Sequence, residues 1–108
     1  MSRKSVRRFC ADPLHQQHGC CFYCELAIWL VSPHAFAAEQ GLTLPQVAQR
    51  QCTAEHLKPR AYGGGDEREN IAAACLACNM TRARRKKPPS PERWRAIRRR
   101  WVSRQVRH

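Results

Sequence analysis

Two C-x-x-C pairs, Cys21-Phe22-Tyr23-Cys24 and Cys75-Leu76-Ala77-Cys78, stand fifty residues apart in this 108-residue chain. A two-residue gap lets both thiolates of one turn reach the same ion, so the pairs together supply the four sulfurs of one tetrahedral zinc. That requirement dictates that the chain fold back on itself and bring both turns to one point. At this length a hydrophobic core is thin, and structural metal is a common supplement. Cys20 is an alternative first ligand, since a three-residue gap to Cys24 is also allowed. Seven cysteines, an odd number, fit metal thiolates in a reducing setting better than a disulfide framework.

Charge narrows the partner. The formal net charge is +12, and it is uneven. Residues 1–81 hold eight Lys/Arg against seven Asp/Glu, whereas residues 82–108 hold twelve against the single Glu92. So basic a segment implies a polyanionic partner. Arg3, Lys4, Arg7 and Arg8 precede no apolar stretch of the kind a secretory signal needs. The longest apolar run, Leu26 to Val31, is too short to span a membrane. The expectation is a cytoplasmic protein with no membrane partner.

Local signals divide the chain into three parts. Residues 1–19 show no periodicity and are expected to be a basic, irregular lead-in. Residues 20–87 form the body. Within it, Leu26 to Val31 reads as a strand. Ser32-Pro33 reads as an N-cap with proline in the first turn, and Gly41 as a helix stop. Thr43-Leu44-Pro45-Gln46 has the capping-box form and starts a second short helix running to Arg50. Cys52 to Leu57 and Ile71 to Ala74 read as strands around a Gly63-Gly64-Gly65 loop. No Gly-Lys-Ser/Thr follows those glycines, so a phosphate cradle is not implied. A short helix is expected over residues 80–87. Residues 88–108 start afresh at Ser90-Pro91-Glu92 and predict a basic helix, with Trp94, Ile97, Trp101 and Val102 on one face.

Between the knuckles lies an ordered set: Glu55-His56 at a strand end, Asn70 before the returning strand, and Asn79 directly after Cys78. This order resembles the HNH endonuclease family, across residues 52–87 and back to the first knuckle near residue 20. The resemblance implies a small α+β fold: a zinc-stabilised ββα-metal core, with an inserted helical segment and a basic C-terminal helix. It implies a catalytic set of His56, Asn70, Glu55 and Asn79. His56 would be the general base, and Asn70 would hold the loop and orient His56. Glu55 and Asn79 would be ligands to one catalytic Mg²⁺ or Mn²⁺. Zinc on Cys21, Cys24, Cys75 and Cys78 would be structural. Glu55 departs from the commoner aspartate, and Arg82 stands where many members have lysine.

The chemistry suits hydrolysis of DNA phosphodiesters: imidazole titrates near neutrality, and hard oxygen ligands suit Mg²⁺ or Mn²⁺. Arg60, Arg82, Arg84, Arg85, Lys86, Lys87, Arg95 and Arg99 are the candidate nucleic-acid contacts. The rival reading is a noncatalytic zinc-knuckle module that binds nucleic acid. Cys10, His15, His18 and Cys20 leave open a second metal site. Phage, restriction, homing and repair roles are equally open, as is oligomeric state.

Overall fold

The computed structural model describes residues 2–106. Its centre is an antiparallel pair, β1 (Cys52–His56) and β2 (Ile71–Cys75), in register from Cys52↔Cys75 to His56↔Ile71. All five β2 residues are buried, and three are alanines. Small side chains are what a strand covered on both faces accommodates. On one face packs α1 (Arg3–Gln16), whose Cys10 meets Cys52 of β1. On the other packs α4 (Leu76–Ala83), which bonds Thr53 and Glu55. Strand alternation puts Cys52 and Thr53 on opposite faces, so the two helices sandwich the pair.

The outer edge of β2 does not face solvent bare. The Gln17 amide donates to the Ala73 carbonyl at 2.8 Å and accepts from the Ala73 N–H at 3.1 Å. The Phe22 N–H reaches the same carbonyl at 2.9 Å. Side chain and knuckle backbone thus take the place of a third strand.

The capping signals are realised as read. Helix α2 (Pro33–Gln40) starts at Ser32, whose hydroxyl accepts from Ala35 N–H, and stops at Gly41 with φ 62°. Helix α3 (Leu44–Gln49) carries the full Thr43/Gln46 capping box. With Trp29, Phe36 and Val47 at its centre, this insert has a small core of its own. Helix α5 (Pro91–Val106) begins after Ser90, which accepts from Arg93 N–H.

Three expectations need correction. Residues 1–19 are not irregular: α1 occupies most of them, capped by Ser2, and Val6, Cys10 and Leu14 pack into the core. Three apolar positions four residues apart make a single narrow row, with a cysteine at its middle and Pro13 beside it. Hydropathy undervalues such a row. Met1 lies outside the described residues. The run Leu26–Val31 makes only isolated pairings, Cys20↔Ala27 and Trp29↔Gln51, because it closes the knuckle and then turns away at Ser32. The helix placed at residues 80–87 starts earlier, at Leu76, and ends at Ala83. Cys75 caps it, its sulfur accepting from Cys78 N–H at 3.4 Å. Of the basic C-terminal segment, residues 107 and 108 lie outside the description. No described helix is long and apolar enough to cross a membrane.

Candidate metal centre and active-site cleft

Cys21 and Cys24 flank the first turn, Cys75 ends β2, and Cys78 lies in the first turn of α4. Their four sulfurs lie within 4.8 Å of one another and are all buried. Cys24 Sγ and Cys75 Sγ are 3.9 Å apart. A tetrahedron with Zn–S bonds near 2.3 Å has sulfur–sulfur edges of about 3.8 Å, so the spacing and the all-thiol donor set fit zinc. Backbone N–H groups of Tyr23 and Cys75 each point at Cys21 Sγ at 3.3 Å. Hydrogen bonds from the Cys24, Cys75 and Cys78 thiols hold the Cys21 pKa below the usual thiol value. The same proton sharing with Cys21 pushes Cys75 and Cys78 up.

Four thiolates around a divalent ion leave a surplus of negative charge. Arg98 of α5 answers it, its Nε 3.1 Å from Cys78 Sγ. Trp94, one helical turn earlier, donates Nε1–H to the Cys78 carbonyl at 3.0 Å. The basic helix is therefore docked directly on the second knuckle. Cys21 rather than Cys20 completes the cluster, and Cys20 stays half-buried outside it. Among the described residues no second group of metal ligands forms from Cys10, His15, His18 and Cys20.

A cleft of about 440 Å³ opens beside β1 and α4, lined by Glu55, His56, Arg60, Tyr62, Asn79 and Lys86 among others. Two hydrogen bonds fix the Asn79 amide. Thr53 has one hydroxyl proton, and it goes to the Ala74 carbonyl at 2.7 Å. Its oxygen can then only accept, and it accepts from Asn79 Nδ2 at 3.0 Å. That leaves Asn79 Oδ1 without a protein partner among the described residues. Glu55 is buried at the cleft floor, and burial pushes its pKa up against the opposing pull of the Arg82 guanidinium. The buried Tyr23 hydroxyl, which accepts from Arg82 Nη1 at 3.0 Å, also pulls it down.

At the strand end, His56 Nε2 lies 2.8 Å from Asp66 Oδ1. Asp66 is held ionised, below the usual carboxylate range, first by this hydrogen bond and then by Arg60, 2.7 Å away. A carboxylate can only accept, so Nε2 carries a proton, and in the neutral imidazole the lone pair is then on Nδ1. The loop that delivers Asp66 is tied by Asn70. Its Oδ1 accepts from Lys58 N–H at 2.7 Å, and its Nδ2 donates to the Lys58 and Gly65 carbonyls at 3.0 and 2.9 Å. The approach is so close that a Cβ on Gly64 would run into the Lys58 carbonyl oxygen. Gly63, with φ 89°, makes the preceding turn.

Residues 43–85 match the family model described as HNH endonuclease. That stretch is similar to HNH endonucleases. Comparison with curated proteins and with solved structures finds no match. The HNH match spans α3, β1, the glycine loop, β2, the second knuckle and α4. It leaves out α1, the first knuckle and α5.

Glu55, His56, Asn79, Arg60, Arg85 and Lys86 line one cleft, and Lys87 lines the groove beside it. Arg84 is exposed nearby on the same turn. Asn70 bonds the loop backbone at Lys58 and Gly65, and its side chain makes no hydrogen bond to His56 among the described residues. Arg82 is not a phosphate clamp. It is 3% exposed, and its donors are spent on Tyr23, Glu55, His56 O, Leu57 O and Pro89 O. Arg95 and Arg99 face Glu25 of the first knuckle at 3.6 and 3.5 Å and are not among the cleft residues. The sequence reading missed Asp66, Thr53, Tyr23 and Arg98. Thr53 was findable, because two residues before Glu55 on a strand means the same face. Asp66 was hidden behind three glycines whose path no pattern specifies.

Proposed function

We propose that the protein is a metal-dependent endonuclease that hydrolyses DNA phosphodiester bonds in the His56 cleft. One observation carries this reading: an imidazole with its Nε2–H held by Asp66 stands in a cleft with Glu55 and an oriented Asn79. His56 Nδ1 takes the proton of the attacking water, and the Asp66 carboxylate steadies the imidazolium as it forms. Asn79 Oδ1 and Glu55 would hold Mg²⁺ or Mn²⁺, whose chemistry there is Lewis acidity toward the phosphate and the departing 3′-oxygen. Arg60, Arg85 and Lys86 draw flanking phosphates to the cleft. The products carry 5′-phosphate and 3′-hydroxyl ends. The four-cysteine zinc is structural.

A second reading, a noncatalytic nucleic-acid-binding module, has one observation in its favour. Glu55 Oε2 already lies 3.4 Å from the buried Arg82 cation, which weakens its pull on a second cation. Plasmid cleavage separates the two. Wild-type protein with added Mg²⁺ or Mn²⁺ should cut, and calcium should support binding alone. His56→Ala should cut ~10²–10⁴-fold more slowly with DNA affinity nearly unchanged. Tight binding with no cleavage in any divalent ion would establish the noncatalytic module instead.

A further inference from the structure

The His56 cleft does not end at Arg60. It continues past Tyr62 into a second groove of about 360 Å³, the two sharing Pro59, Tyr62, Arg82 and Pro88. The walls of this groove are mostly apolar, chiefly Tyr62, Pro59, Pro88 and Pro89, with Lys58 and Lys87 also lining it. Nothing in the hydrolytic chemistry uses Tyr62. The residue is nonetheless left 55% exposed beside the His56 cleft.

Both walls are rigid. Tyr62 sits on the tight turn Arg60–Tyr62, closed by Tyr62 N–H to Pro59 O at 2.9 Å and Gly63 N–H to Arg60 O at 3.0 Å. The opposite wall is fixed by Arg82, whose Nε and Nη2 donate to the Pro89 carbonyl at 3.1 and 2.9 Å. Prolines carry no N–H, so an apolar guest entering here strands no backbone donor on that side. The space suits a guest that is flat and apolar on its faces and tethered to an anion. An unstacked nucleobase with its phosphate has that form, and exposed aromatic rings beside cations are how single strands are held.

We propose that this groove binds the base of a nucleotide next to the cleaved phosphate, stacked on Tyr62, with its own phosphate directed to Lys58 and Lys87. The substrate class that follows is single-stranded or locally opened DNA, such as a flap, a junction or a frayed end. In a closed duplex the base is in the stack and cannot reach the ring without being extruded. This proposal rests on reading the His56 cleft as the phosphodiester site.

The test uses the full chain in calcium, where hydrolysis is not required. The probes are a single-stranded 12-mer with 2-aminopurine at successive positions and a blunt duplex of the same sequence. Wild type and Tyr62→Phe should quench fluorescence at one position. Tyr62→Ala should lose that quench and bind the single strand on the order of 5- to 100-fold more weakly, with duplex affinity unchanged. An unaltered single-strand affinity, or an equal loss on both substrates, overturns the proposal. Plasmid cleavage in Mg²⁺ or Mn²⁺ is scored separately. Absence of cleavage with a Tyr62-dependent quench retires the nuclease reading and, with it, the placement next to a cleaved phosphate, leaving a base-binding groove of a noncatalytic module.

Discussion

His56 offers two ring nitrogens, and Asp66 engages only one of them. Asp66 is half-exposed and supports no core packing, so its removal should affect chemistry and spare the fold. Asp66→Ala is expected to slow plasmid cleavage on the order of 10–100-fold, part of what a general base contributes, with an unchanged melting temperature. A variant that cleaves at the wild-type rate would show that the ring needs no anchor. Thr53 acts one residue further out. Its hydroxyl is what forces Asn79 to turn nitrogen inward and oxygen outward. Thr53→Val should raise the Mn²⁺ concentration needed for half-maximal cleavage ~10-fold or more, the usual cost of losing a group that orients a metal ligand, and Thr53→Ser should restore it. Arg82 shows the opposite economy: a charge that touches nothing outside the protein. Arg82→Ala leaves Glu55 buried without its counter-ion and is expected to cost about 3–5 kcal/mol, read by thermal denaturation.

Elements with local signatures were legible in the sequence, and elements defined by their partners were not. Ser32-Pro33, Thr43…Gln46 and Ser90-Pro91 carry their start signals within four residues, and α2, α3 and α5 begin where those signals stand. β1 and β2 were legible from alternation and from the knuckle that had to follow. Helix α1 was not, because what holds it is the strand pair beneath it: Cys10 on Cys52, Gln17 on Ala73, and an Arg68–Asp12 ion pair. In the site, residue types and order pointed to Glu55, His56 and Asn79, while Arg82 was misassigned because charge in a sequence does not disclose burial. The docking of α5 on Cys78 adds an expectation for the metal. Zinc removal should release Trp94 and Arg98 together with the knuckles. Cys75→Ser, or prolonged chelation, should therefore lose about one equivalent of zinc and the Trp94 fluorescence of the folded state in one transition. A folded, zinc-free protein with Trp94 still buried would mean that packing alone holds the centre.

Across the whole molecule, the concentration of positive charge after residue 81 is less available than its sum suggests. Arg82 is buried, Arg98 is turned to a thiolate, and Arg95 and Arg99 lean on Glu25, where Arg95 also stacks on Phe22 at 4.8 Å. The cations on the short exposed turn between α4 and Pro88, beside the cleft, are Arg84, Arg85, Lys86 and Lys87, of which Arg85 also lies over the Trp94 ring at 4.9 Å. Each phosphate contact changes the slope of log K against log salt by about 0.9 on duplex DNA. Replacing these four by glutamine should then flatten that slope by roughly 3 to 4 units. Replacing Arg95 and Arg99 should change it far less. Because none of the four carries a proton in the reaction, the cleavage rate of the quadruple variant at saturating DNA should stay close to wild type while its affinity falls. A slope that moves instead with Arg95 and Arg99 would put the DNA track along α5, across the first knuckle, and would leave the turn before Pro88 as a solvated link.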